Sequence, residues 1–238
     1  SIGFDFEFYG NNYSNVVLSS NNYLSFNLSD AGNYSPWAIG TPIPESGSYS
    51  TLNSILAPWQ DTYPGVNGDG QIGYAIIGDA PNRVFVASYC GVPMFSCTDL
   101  WAGAQIKLYE ATNVIETHIV KKVSCESWNG GAAIHGLQNI DGTIAHVVTG
   151  SDGIERNYPN LWEANDDAWR FTPNGNNNYI IESISFSPAV AESIIWYDQN
   201  GNIIGGGDSV VVYPEGNTSY SAISSYCDST EIVIGNVN

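Results

Sequence analysis

Apolar and polar residues alternate in short runs along the whole chain. Phe4, Phe6 and Phe8 alternate with Asp5 and Glu7, so Gly3–Tyr9 reads as a strand with one aromatic face. Val16, Val17 and Leu18, then Tyr23, Leu24 and Phe26, follow at short spacing across Asn-rich turns. Further strands are predicted at Ser54–Pro58, Gln71–Ile77, Arg83–Tyr89, Ala132–Gln138, Thr143–Val148 and Ala168–Thr172. Residues 29–54, rich in Ser, Gly and Pro, read as a long surface loop carrying Trp37, and Asn160–Asp167 as one irregular turn. No segment shows a helical period. Many short strands separated by Gly, Asn and Pro turns predict an all-β chain built on a large antiparallel β-sandwich.

The clearest pair of strands is Ala104–Glu110 and Val114–Lys121, flanking a turn at Ala111, Thr112 and Asn113. Ile106 and Leu108 alternate on the first run, and Ile115, Thr117 and Ile119 on the second, which predicts a hairpin with one buried face. Centred on Thr112, residue i faces roughly residue 224−i, and Cys97 comes opposite a point close to Cys125. A disulfide there would staple the open end of the hairpin and remove roughly 3–4 kcal/mol of unfolded-state freedom. Such a staple indicates an oxidising, extracellular setting.

The segments PMFSC, IKLYEATNVIETHI, CESWNGGAAIHGLQN and DAWRFTP resemble large surface and gliding-motility-associated proteins of Bacteroidetes-type bacteria, exported by the type IX secretion system. The opening FDFEFYGNNYSNVVLSSNNYLSFN is similar to the start of nidogen-like extracellular domains, and the two likenesses together cover about residues 4–173. The resemblance implies a cell-surface location, a fibrous or adhesive style of function and cysteines at the positions of Cys97 and Cys125. The tail WYDQNGNIIGGGDSVVVYPEGNTSYSA is similar to small Ig-like modules, with Trp196 in the place of their core Trp.

Residues 174–178 (Asn, Gly, Asn, Asn, Asn) are polar and turn-forming, and are expected to link a nidogen-like domain over 1–173 to an Ig-like domain over 179–238. Strands are expected at Tyr179–Phe186, Ser193–Tyr197, Ser209–Tyr213, Ser219–Ser224 and Glu231–Ile234, with a hairpin turn at Asn200 and Gly201. Modules of this kind often pair a cysteine near the position of Tyr213 with one like Cys227. Tyr213 has no thiol, which leaves Cys90 as a partner for Cys227; buried free thiols or an intermolecular bond are the alternatives.

Composition narrows the function. The chain has 24 acidic and 6 basic residues, a net charge of −18, and every basic residue lies between Arg83 and Arg170. Such a surface repels phosphate backbones and anionic headgroups, which excludes nucleic acid and a direct membrane surface as partners. No apolar run reaches the length of a membrane span. The chain begins at Ser1 without a signal-like segment, which reads as a processed form.

No nucleophile elbow, P-loop, HExxH or CxxC occurs, and a non-enzyme without an obligate cofactor is expected. Glu110 and Glu116 have the look of a glycosidase pair but read better as a solvated strand end. Asp61, Asn67 and Asp69 could supply oxygens to Ca²⁺, although their spacing matches no EF-hand loop. Trp37 and Trp101, both in loop-like contexts, are the candidates for stacking on sugars. Ser209 and Ser229 follow aspartates in short signals resembling those for bacterial O-glycosylation.

Two functions fit. The first is a structural or adhesive surface protein, such as the subunit of a surface fibre or filament. Phe4, Phe6 and Phe8 would fill their own sandwich or sit on a strand donated to a neighbour, and in either case copies would join head to tail through the acidic small domain and the basic residues of the larger one. The second is a carbohydrate- or Ca²⁺-dependent binding module, with a surface polysaccharide or protein as its partner.

Overall fold

A computed structural model describes residues 1–47, 51–66, 69–189, 195–206, 209–214, 216–226 and 229–237. Its contacts divide the chain into two compact units, Ser1–Ser187 and Pro188–Asn238.

The first unit runs β1 (Phe6–Phe8), β2 (Asn11–Tyr13), β3 (Val17–Ser19), β4 (Tyr23–Ser25), β5 (Ser54–Trp59), β6 (Gln71–Ile77), β7 (Val84–Pro93), β8 (Trp101–Tyr109), β9 (Ile115–Lys122), β10 (Ile134–Gln138), β11 (Ala145–Val147), β12 (Ala164–Pro173) and β13 (Tyr179–Ile184). A six-stranded sheet in the order β13-β12-β9-β8-β7-β6 and a five-stranded sheet in the order β11-β10-β5-β4-β3 are antiparallel throughout, and β1 and β2 form a hairpin beside them. Phe85, Ala87, Tyr89, Ile106, Leu108, Ile115 and Phe171 from the larger sheet meet Leu24, Ile55, Ala57 and Leu137 from the smaller in one buried core. The alternation in the sequence therefore produces the predicted sandwich, with each strand turning one set of side chains inward.

Phe4, Phe6 and Phe8 fill this same core, at 7%, 0% and 0% exposure, beside Ile2 and Phe26. Phe8 and Phe26 lie 4.7 Å apart. Of the two placements expected for this strand, the single chain has the internal one, its own sandwich supplying the apolar partners. The regular strand is also shorter than Gly3–Tyr9, since Gly3 (φ 91°) and Tyr9 (φ 46°) both leave the extended region.

The central hairpin forms one step out of the expected register. Leu108 faces Ile115 and Ala104 faces Ile119, a sum of 223, and a bulge restores 224 only at Gly103 and Lys121. Asn113 takes φ 53° and its N–H donates to the Tyr109 carbonyl, which tightens the turn by one residue. Cys97 and Cys125 are joined across the open end, with Cα atoms 5.9 Å apart. Both faces of the hairpin are buried, where only one was expected. Gln105, Lys107, Glu116 and His118 on the second face are all under 10% exposed.

That second face is covered by the chain leaving β13. The Ser187 N–H donates to His118 Nδ1 at 3.2 Å, Lys107 Nζ donates to the Ser187 carbonyl at 2.6 Å, and the Phe186 ring stands over His118. The boundary between the units therefore falls after Ser187, later than the expected linker over 174–178. Those five residues are a hairpin turn closed by the Asn174 N–H on the Asn178 carbonyl, and Tyr179–Ile184 pairs with β12 as an edge strand of the larger sheet. The irregular turn expected at Asn160–Asp167 gives way, from Ala164 onward, to the start of β12.

The second unit holds β14 (Ile195–Tyr197), β15 (Ile203–Gly206), β16 (Thr218–Tyr226) and β17 (Ser229–Val237) in the antiparallel order β15-β14-β16-β17. The Asn200–Gly201 turn is present, with Gly201 at φ 81° and Asp198 Oδ1 accepting from the N–H groups of Asn200 and Asn202. Residues 209–213, expected as a strand, are irregular, with Val211 and Tyr213 at 76% and 89% exposure. Cys227 lies outside the described residues, and with it the expected pairing to Cys90.

Candidate functional site

The first unit carries a small cleft with room for about one water-sized group, and its walls come from three separate segments. The first leaves β5 at Asp61. Here the Thr62 N–H donates to Asn21 Oδ1 at 3.0 Å and the Tyr63 N–H to the Pro93 carbonyl at 2.7 Å, so the backbone beyond the strand stays fixed. The second is the chain after β7, where Met94 and Phe95 line the cleft and the Phe95 N–H donates to the Asp61 carbonyl. The third is the segment after β9, tied down by Cys125 in the disulfide and carrying Trp128 and Asn129.

The WNGG motif shapes the third wall. Asn129, Gly130 and Gly131 all take positive φ (48°, 58° and 74°), and the Gly131 N–H donates back to the Trp128 carbonyl. A Cβ on Gly131 would stand 3.1 Å from the Ser124 side chain, so glycine is required there. The tight reversal swings the Trp128 indole over the cleft, and its Nε1–H donates to Asp61 Oδ2 at 2.6 Å. Phe95 lies 4.8 Å from Trp128 with the rings inclined at 66°, and Tyr63 lies 5.5 Å from Phe95 at 57°. Tyr63 is 46% exposed, so the aromatic wall reaches solvent. Burial pushes the Asp61 carboxyl above its usual range, with the hydrogen bonds from Trp128 and Asn21 opposing the shift.

The structure distributes the sequence candidates unevenly. Asp61 is at the cleft, but its carboxylate is engaged by Trp128. Asp69 is exposed in a turn where its N–H donates to the Val66 carbonyl, and Asn67 lies outside the described residues. No group of three or more His, Cys, Asp or Glu suited to a metal occurs among the described residues. Trp37 is 46% exposed and its carbonyl accepts from Asn129 Nδ2, which brings it to the rim of the cleft. Trp101 is the first residue of β8 rather than part of a loop, and Lys121 Nζ sits 4.4 Å from its ring centre, covering one face. Ser209 is exposed; Ser229 opens β17, and its side chain lies outside the described residues.

Phe95, Trp128 and Tyr63 were not singled out from the sequence. Their signal was the WNGG turn beside a cysteine, which marks a forced reversal and so a fixed aromatic.

Three other titratable groups that could serve chemistry are engaged in the fold. Glu116 accepts from Arg170 Nη2 at 2.7 Å, Tyr109 at 2.8 Å and His118 Nε2 at 3.2 Å, and it is held ionised down to about 2. Burial raises that carboxyl and the His118, Arg170 and Tyr109 hydrogen bonds more than reverse it. The solvated strand end expected for Glu110 and Glu116 is therefore corrected at Glu116, which is buried in an ion-pair network. Glu110 is clamped by Arg83, which lowers its pKa. His135 is buried between Thr117 Oγ1 at 2.8 Å and Arg156 at 3.1 Å, and burial holds it neutral.

No curated protein and no solved structure gives a match to this chain. A family model described as NIDO related matches residues 1–173, the sandwich from its first strand to the end of β12. A nidogen-type domain and a disulfide are together compatible with an extracellular location, and no helix among the described residues is long and apolar enough to cross a membrane. On this match the chain belongs to the NIDO-related family, as an extracellular-type module.

Proposed function

We propose that the chain is a non-catalytic module of the outer cell surface with an adhesive role, making contact with a surface polysaccharide or protein through the cleft between Asp61, Phe95 and Trp128. One observation carries this reading: an exposed Tyr63 and the half-buried Phe95 and Trp128 stand together at a place where a disulfide, a forced turn and a part-buried hydrogen bond fix the wall. Trp128 also packs against the buried Met94, Ala102 and Cys125, and rings held rigidly in this way are preorganised for a contact surface. The carboxylates that resemble a catalytic pair are both clamped by arginines, which favours binding over acid–base chemistry. The likeness to gliding-motility-associated proteins supports export to the surface.

The test is an array of surface polysaccharides and matrix proteins probed with the full chain, with and without a chelator. Retention on one polymer class regardless of chelator supports the reading, and chelator-sensitive retention supports the Ca²⁺-dependent form. Retention on none counts against it.

A fibre-forming role has its own observation. Strand β6, the edge of the larger sheet, has the sequence QIGYAII without a charge or proline, and exposes Tyr74 at 60% and Ile76 at 41%. Natural edges are usually blunted by charge, and this one is not. Pairing of β6 with a second copy would give filaments in electron micrographs, and a strictly monomeric protein at high concentration would exclude them.

A further inference from the structure

The cleft also specifies a ligand chemistry, on the reading that it is the contact site. Asp61 is a half-buried carboxylate among rings, and among the described residues it has no cationic partner in an ion pair. A desolvated carboxylate without a cation is costly, and a carboxylate has acceptor positions beyond those that meet Trp128 and Asn21. The neighbouring rings meet at 66° and 57° rather than lying in one plane. Inclined rings do not make the flat platform on which a sugar stacks. A compact positive group needs only one π face beside the carboxylate. The chain's net charge of −18 draws cations toward it at long range.

We infer that the cleft binds a primary alkylammonium group, held by the Asp61 carboxylate and the inclined rings of Phe95 and Trp128. An –NH₃⁺ head donates to the free acceptor positions of Asp61, which a quaternary ammonium cannot do. The same head is offered by a free amine and by a lysine side chain of a partner polypeptide.

The experiment follows the indole Nε1–H resonances of the full chain by NMR while acetyl-lysine-methylamide is added. The expected result is a saturable shift of the Trp128 resonance, weakened about tenfold in Asp61→Asn, which keeps an acceptor for the indole but loses the charge. Binding should also weaken as pH falls through the titration of Asp61, which tests the wild-type chain without any variant. The trimethylated lysine analogue should bind several-fold more weakly. A lysine-bearing peptide that binds more tightly than the free amine identifies a polypeptide as the source, and equal affinities identify a small amine.

The inference is overturned by an unsaturable or absent shift, by undiminished binding in a folded Asp61→Asn chain, by affinity that ignores pH, or by a neutral oligosaccharide moving the Trp128 resonance in place of the amine. Retention on a polymer that depends on Trp128, without an amine shift, defeats this inference alone. An amine shift without retention on any polymer defeats the adhesive reading and leaves this one standing.

Discussion

Arg170 holds Glu116 from the neighbouring strand, with Nε at 3.0 Å and Nη2 at 2.7 Å from the same carboxylate oxygen. The pair sits directly across β12 and β9, so the sheet register itself brings the charges together. Because Tyr109 and His118 also donate to Glu116, the carboxylate is fully satisfied on a face that the covering Phe186–Ser187 segment shields from water.

Acid should therefore destabilise the first unit through Glu116. Its carboxyl titrates at about 2 in the folded chain against an ordinary 4.5, so it is depressed. The stabilisation is fully present above about pH 4.5 and is lost as pH falls toward 2, about 3 kcal/mol in all. Thermal unfolding of wild type and Glu116→Gln, followed from pH 7 to pH 2, should show the variant less stable at neutral pH and the two converging in acid.

Lys122 predicts a slope of the same sign at alkaline pH. Its ammonium is buried against the Trp162 ring at 4.9 Å and donates to Ser124 Oγ at 3.0 Å, and burial lowers its pKa to about 8. The unfolded chain then binds more protons between about pH 8 and 10.5, so stability rises with pH across that window relative to Lys122→Met. Denaturant midpoints of the two chains at pH 7 and pH 10 measure the difference.

Removal of the Cys97–Cys125 bond closes no cavity and breaks no strand, but it frees a loop of 28 residues. Cys97→Ser with Cys125→Ser should cost about 3–4 kcal/mol by chemical denaturation and broaden the Trp128 indole resonance, because the wall of the cleft is no longer tied.

Deletion of residues 1–9 removes Ile2, Phe4, Phe6 and Phe8 from the core. Each large side chain lost from such a site costs about 3–5 kcal/mol, so the truncated chain should fail to fold. A folded truncation, read by circular dichroism, would mean that the strand belongs to a neighbour after all.

The sandwich was legible because its strands alternate locally: Gln71–Ile77 forms as expected, and the central hairpin differs by one residue of register. What was not legible depended on distant partners. Lys107, Glu116 and His118 look like a solvated face until Arg170 and Ser187 close over them. The turn at 174–178 looks like a linker because its composition is identical to one. Only the pairing of Tyr179–Ile184 with β12 shows it to be a hairpin. At the cleft, Asp61 and Trp37 were visible as residues, but the Trp128 that bonds Asp61 and the Asn129 that bonds Trp37 come from a turn that begins 67 positions beyond Asp61.

The account rests on Trp128 as the centre of an adhesive surface. Its most direct test is biolayer interferometry of the full chain on the polymer that retains it, comparing wild type with Trp128→Ala and with Trp101→Ala, whose ring already carries Lys121. Retention lost at Trp128 and kept at Trp101, with both variants folded, is the predicted result; retention unchanged by Trp128→Ala would contradict it.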